Sequence, residues 1–346
     1  MRLSSRFIVC VVAVFAAVAT NAADQADPQT SARRPDPGSW GFHPGNPLMK
    51  TDAKLLDGLL NDPAVLKTDV GYEMYYGAIK GDFSDGNTVR TFRATSKDGV
   101  RWERNSVPVL EPGPPGSWES VKVESPSILK LPGGRYRLYY AGSNRPDSEA
   151  GFQIGFAESD DGVAWTKHPG NPVLRLDPAG GEVSLLGQSV VYKGGEFWLW
   201  YPILSKEFKP DIRLAKSRDG VTWEKKGVVV SLDRERVSPT DLGVMEADVI
   251  WNGREFEMFY DVLRDGGIFT STIWHAVSTD GVHWTKDPAP VLDTGPKDSW
   301  IGTGIHSPTV VLEKDRYRMW FGGTHTDRAT FLELGIGLAE KRISTD

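Results

Sequence analysis

Five polar residues recur along the chain at nearly equal intervals: Asp62, Glu124, Gln188, Glu246 and His306, lying 62, 64, 58 and 60 residues apart. Each opens a short apolar run, as in Asp62-Pro-Ala-Val-Leu66 and His306-Ser-Pro-Thr-Val-Val311. Three carboxyls, an amide and an imidazole gathered at one opening would be a costly cluster, because a desolvated carboxylate is destabilised unless it is partnered. Cleavage of a glycosidic bond needs such a cluster. One carboxyl protonates the leaving oxygen while another activates water or attacks carbon. Asp248, two residues beyond Glu246, is expected on the same side of the strand, one step deeper.

The interval belongs to a repeat. The phrase Ser-x-Asp-Gly-x-x-Trp occurs four times, ending at Trp102, Trp165, Trp223 and Trp284. Its aspartates, Asp98, Asp161, Asp219 and Asp280, are 63, 58 and 61 residues apart. A fixed period of this kind signals a propeller, solenoid or array. Between successive phrases lie an apolar strand and then an aromatic, alternating one, such as Tyr72-Glu-Met-Tyr-Tyr76 and Phe197-Trp-Leu-Trp-Tyr201. There are five such pairs. The fifth lacks an Asp-Gly phrase, and Trp40-Gly-Phe-His-Pro-Gly-Asn-Pro-Leu48 mirrors the segment Trp165–Leu174. The expectation is an all-β, five-bladed β-propeller whose N-terminal strand closes the last blade, leaving no long open sheet edge. The phrase itself reads as structural: Asp-Gly makes a tight turn, and the Trp packs between blades. It differs by one residue from the Asp box of sialidases, and no arginine triplet for a sialoside carboxylate is evident.

Composition narrows the rest. Residues 1–23 read as a secretory signal peptide with a basic start and a short apolar run, which holds the only cysteine, Cys10. Residues 24–38 read as a polar, Pro-rich lead-in, and 39–346 as the catalytic domain. A secreted or periplasmic location is expected, with stability drawn from the core rather than from disulfides. The formal charge of −6 and the absence of basic runs argue against nucleic acid as a partner. No second apolar stretch is long enough to span a membrane. Twelve Trp, ten Tyr and fourteen Phe are many aromatics; some must fill blades, but exposed ones often stack on sugar rings. Trp118 and Trp300 each precede an axis residue by six and are candidates for that role. Arg145, with Asn144, Asp261, Arg264 and His325 after the second strands, is expected to rim a pocket.

On Asn61-Asp62-Pro63, Glu246-Ala-Asp248 and Gly304-Ile-His306-Ser-Pro, the chain resembles the five-bladed β-propeller glycosidases. These comprise the arabinanase and xylosidase group of glycoside hydrolase family 43, with the invertase and levansucrase group and the mannoside phosphorylases of family 130 as relatives. The resemblance implies an oligo- or polysaccharide substrate, such as a pentofuranoside or fructoside. It makes Asp62 the general base, Glu246 the general acid and Glu124 their electrostatic partner. Gln188 stands where the family has an aspartate, so it is expected to bind a sugar hydroxyl. No cofactor is expected, although the resemblance allows a structural calcium ion at the axis with His306 near it. The arabinanase-like group implies inversion, whereas in the fructosidase relatives the first-blade Asp is a nucleophile and configuration is retained. Two rival readings accompany this one: a phosphorylase, for which Arg145, Arg213 and Arg264 would have to cradle phosphate, and a glycan-binding propeller without catalysis.

Overall fold

The computed structural model describes residues 39–50, 58–79, 88–146, 150–207, 209–232, 238, 240–264, 270–327 and 331–343. The expected signal peptide with Cys10 and the expected lead-in lie outside the described residues. Every regular element among the described residues is a strand. Two short strands, β1 (Gly41–Phe42) and β2 (Met49–Lys50), come first. The first unit follows with β3 (Gly58–Thr68), β4 (Gly71–Ile79), β5 (Val89–Ser96) and β6 (Glu103–Arg104). The second has β7 (Lys122–Lys130), β8 (Tyr136–Ser143), β9 (Gln153–Ser159) and β10 (Thr166–Lys167). In the third the leading strand is broken into β11 (Glu182–Leu185) and β12 (Ser189–Lys193), followed by β13 (Glu196–Ser205), β14 (Asp211–Ser217) and β15 (Glu224–Val230). The fourth has β16 (Asp241–Trp251), β17 (Phe256–Arg264), β18 (Ser271–Ser278) and β19 (Thr285–Lys286). The fifth has β20 (Gly304–Leu312), β21 (Arg316–Asp327) and β22 (Phe331–Arg342).

Within each unit the strands pair antiparallel in sequence order, and among the described residues one parallel pair, Val89 with Lys122, joins the first two units. The fifth unit takes its outer strand from the N-terminus, because β1 and β2 both pair with β22. The mirrored segments explain why this fits. Asn171 holds the Phe156 backbone through both its amide nitrogen and its oxygen. Asn46 makes the same double bond to Leu338.

The leading strands touch one another in cyclic order, with β20 against β3 closing the series. A belt of hydrogen bonds runs around them. Ser127 Oγ accepts from Val190 N at 3.0 Å, Ser189 Oγ from Val249 N at 2.9 Å, Asp248 Oδ2 from Val310 N at 2.6 Å and Thr309 Oγ1 from Val65 N at 3.1 Å. The equivalent first-unit position is Ala64, whose side chain has no acceptor to offer. The apolar core is divided into five clusters, each lying between two neighbouring units; Trp320, Ile336 and Leu338 of the fifth, for example, pack on Tyr72, Met74 and Tyr76 of the first. Burying both faces of a sheet in this way removes most of its apolar side chains from water, the dominant favourable contribution to folding.

The repeated phrase closes turns at the outer edge. Ser96 Oγ accepts from Gly99 N at 2.8 Å, and Asp98 Oδ1 accepts from Val100 N at 2.9 Å and Arg101 N at 2.8 Å. The same bonds recur around Asp161, Asp219 and Asp280. The turn glycine then offers its carbonyl to the preceding unit: Tyr75 bonds Gly162 O, Tyr139 bonds Gly220 O, Trp200 bonds Gly281 O and Trp320 bonds Gly99 O, at 2.8–3.0 Å. The fourth unit has Phe259 at this position, which lacks a donor. Its neighbour has no Asp-Gly turn to receive one, and Trp40 meets Phe259 edge-on instead, at 5.7 Å.

Candidate active site

At one level of the axis every leading strand breaks its register. Four non-glycine residues have positive φ among the described residues: Asp62 (50°), Ser125 (49°), Glu246 (24°) and Ser307 (50°). Gly187, at 61°, supplies the fifth. The ladder shifts at the same places in β3, β7, β16 and β20, and the third unit's strand is interrupted there. A bulge of this kind re-aims a side chain, and left-handed backbone at non-glycine residues costs of order 1–3 kcal/mol each and concentrates at functional sites.

The ring at the axis is therefore Asp62, Ser125, Gly187, Glu246 and Ser307. This corrects the sequence alignment in three units, where spacing makes Glu124, Gln188 and His306 the equivalents of Asp62. They lie one residue off. The aligned dipeptides Asp62-Pro63, Ser125-Pro126 and Ser307-Pro308 carry the right register, and weighting the proline over the charge finds it. Gly187 has no side chain because none fits: a Cβ there would lie 2.5 Å from Glu246 Cγ.

The ring gathers its carboxyls around hydroxyls. Ser125 Oγ donates to Asp62 Oδ2 at 2.8 Å. Ser307 Oγ lies 2.8 Å from Asp62 Oδ1, 3.0 Å from His306 Nδ1, and in hydrogen-bond contact with Glu246 Oε2. A third carboxyl joins them. Asp261 on β17 is fully buried and accepts from Ser307 N at 3.2 Å. Sequence reasoning places it on the rim, whereas the structure puts it behind Glu246. Burial, then the charges of Glu246 and Asp62, push its carboxyl well above the usual range. His306 is buried against Gly322, and burial alone lowers its pKa to about 4, so the imidazole is neutral at physiological pH. Its Nε2 meets Thr324 Oγ1 at 2.9 Å.

Donor atoms of Asp62, Glu246 and His306 lie within 4.8 Å of one another, close enough to raise the question of a cation. The donor set does not fit the calcium ion that the resemblance allows. Calcium takes six to eight oxygen ligands. Here one of the three donors is an imidazole, both of its nitrogens already meet hydroxyls, and the Ser307 hydroxyl occupies the space between the carboxylates.

The other predicted residues take several different places. Glu124 is half-buried and starts over Gly77. Gln188 is buried and donates from Nε2 to the Ser125 carbonyl. Asp248 belongs to the belt rather than the ring, and burial raises its pKa to about 6. Trp118 lies over Gly142 and Gly155 and stacks on Tyr140, while Trp300 lies over Gly323 and Gly337 and stacks on Phe321. Those contacts give both tryptophans a packing role. Arg145 is exposed, its side chain running along Gly151. Arg213 is ion-paired with Glu182 and Asp211, and Arg264 with Asp293, so neither stands ready as a phosphate ligand. On the other side of the ring the axis continues as a cavity of about 690 Å³, lined by Pro63, Pro126, Pro308, Gln188 and Asp248 among others.

The profile of the family described as "Glycosyl hydrolases family 32 N-terminal domain" matches residues 54–245. An uncharacterized protein of Mycobacterium tuberculosis, present in strains CDC 1551 / Oshkosh and ATCC 25618 / H37Rv, is 29% identical over 251 residues, which are 67% of this chain and 75% of that protein. Among solved structures, BT0996 in its RGII complex superposes with a TM-score of 0.70 at 18% identity, covering 89% of this chain and 95% of that one. A member of the GH130 family of mannoside phosphorylases, a family described as containing hydrolases that target β-1,2 mannosidic linkages in Candida mannan, gives 0.62 at 17% identity, covering 87% and 93%. At these identities the structural likeness speaks for the fold.

Proposed function

Because the chain belongs to the glycosyl hydrolases family 32 N-terminal domain family, we propose that it is a secreted, five-bladed propeller glycoside hydrolase that acts with retention of configuration. The observation that carries this reading is the spacing of Asp62 and Glu246, whose carboxylate oxygens approach within 4.8 Å. Inverting enzymes keep their carboxyls roughly 6.5–9.5 Å apart to seat a water, and retaining ones about 5–5.5 Å. The nearest oxygens of the pair lie closer to the retaining spacing, and the Ser307 hydroxyl already sits between them. This favours the fructosidase-like chemistry over the inversion that the arabinanase resemblance implied.

In this mechanism Glu246 gives its proton to the glycosidic oxygen as Asp62 attacks the anomeric carbon. The carbon–oxygen bond breaks, the alcohol leaves, and a glycosyl ester forms on Asp62. Glu246, now ionised, takes a proton from water as the water oxygen attacks the same carbon and releases Asp62. Two hydroxyl donors, Ser125 and Ser307, suit Asp62 to remain an anion. The family favours a fructoside over other furanosides. The ion-paired state of Arg213 and Arg264 weighs against phosphate as the acceptor.

The test is a release assay on fructosides, pentofuranosides and plant polysaccharides, with NMR of the first-formed anomer. Retention, and loss of about 10²–10⁴-fold in kcat for Asp62→Asn and Glu246→Gln, are expected. First-formed product of inverted configuration would overturn the nucleophile assignment. Full activity in both variants would remove the site altogether.

A further inference from the structure

Ser307 touches several ionisable groups at the ring at once. Its hydroxyl meets Asp62 from β3, Glu246 from β16 and His306 from β20, and its backbone N–H meets Asp261 from β17. From β7 the ring residue is Ser125, with Glu124 one residue earlier. A hydroxyl has one proton and two lone pairs. It can donate to one of its three contacts and must accept from the other two.

The neighbours resolve which is which. His306 is neutral; with its proton on Nδ1, the tautomer this assignment requires, it donates to Ser307 Oγ while Nε2 accepts from the Thr324 hydroxyl. One of the two carboxyls must then also give a proton to Ser307. Asp62 already accepts a second hydroxyl, from Ser125, which suits an anion. The hydroxyl's proton therefore belongs on Asp62, and the carboxyl proton on Glu246.

We propose that Ser307 is a positioning residue that decides which carboxyl of the pair carries the proton: it donates to Asp62, holding it ionised, and accepts from Glu246, holding it protonated. The arrangement is that of a nucleophile and an acid poised before substrate arrives. Its catalytic meaning rests on the hydrolase reading above, but the proton inventory does not.

The experiment reads protonation directly, without substrate. Protein labelled with carboxyl-¹³C aspartate and glutamate is titrated by NMR, with resonances assigned through Asp62→Asn and Glu246→Gln. Ser307→Gly removes the hydroxyl while suiting the positive φ of 50° at this position, so the fold is expected to persist. In the wild type Glu246 is expected to hold its proton at a higher pH than Asp62. In Ser307→Gly the Glu246 midpoint should fall and that of Asp62 rise, each by about one pH unit, the worth of one hydrogen bond to a charged group. Ser125→Gly should raise Asp62 and leave Glu246 where it was. A wild type in which Asp62 holds the proton, or a Glu246 midpoint unchanged in Ser307→Gly, would overturn the proposal. Should the titrations behave as expected while no glycoside is cleaved, the hydrolase reading fails and the proton assignment stands.

Discussion

The outer turns and the inner bulges are both repeated once per unit, yet they repeat in opposite ways. At the outer edge the side chains are the same each time: Ser, Asp, Gly and Trp, making the same bonds around Asp98, Asp161, Asp219 and Asp280. At the axis only the backbone recurs. Five positive-φ bulges carry Asp62, Ser125, Gly187, Glu246 and Ser307, no two neighbours alike. A turn does one job in each unit, so one set of residues serves. The axis does one job for the whole molecule, so each unit brings a different part.

That contrast yields predictions in which activity and stability separate. The largest effect is expected at the ring: Asp62→Asn and Glu246→Gln should lose most of the rate, yet their thermal midpoints should equal or exceed the wild type's, because each removes a charge or proton from a crowded, buried set of carboxyls. A scanning-calorimetry trace showing strong destabilisation would instead make the ring part of the frame. Gly187→Ala should affect both properties. A side chain in left-handed backbone costs about 1–2 kcal/mol, and the new methyl would displace Glu246, where a misplacement of about 1 Å can cost about 10²-fold in rate. Wild-type kcat in that variant would show that Glu246 does not need its present position.

Outer substitutions should cost stability alone. Trp320→Phe removes the bond from the fifth unit to Gly99 of the first and should cost about 1 kcal/mol, read by urea unfolding, with kcat per folded molecule unchanged. The smallest effect concerns acid. Backbone N–H groups of Thr222 and Val221 hold Asp219 down at about 2, below its ordinary 3.8. Its contribution is complete above that ordinary value and is lost as pH falls through about 2. Asp219→Asn should therefore lose less thermal stability than the wild type between pH 4 and pH 2. The margin will be small, since Asp219 is exposed and screened by solvent.

Legibility follows the same division. The count of strands, the outer turns and the N-terminal strand that completes the fifth unit can be read from repeated residues, because identical side chains make identical local bonds. Asp62 and Glu246 are legible as well, one through its proline and one through its period. Glu124, Gln188 and His306 fall one residue out of register, because spacing aligns a charged or polar type where the backbone aligns a serine or a glycine. Asp261 stands out in the sequence only as a rim residue, since nothing in Tyr260-Asp261-Val262 says that this second-strand residue faces the neighbouring unit's bulge.

By itself, then, the sequence determined the repeat, the all-β character and two of the carboxyls, because periodicity and turn chemistry act within a few dozen residues. Which oxygen faces which hydroxyl was decided only by the tertiary structure. Asp62, Ser125, Glu246, Asp261 and Ser307 come from four different units of the chain, and their contacts exist only once β20 lies against β3 and the bulges turn the side chains to one point.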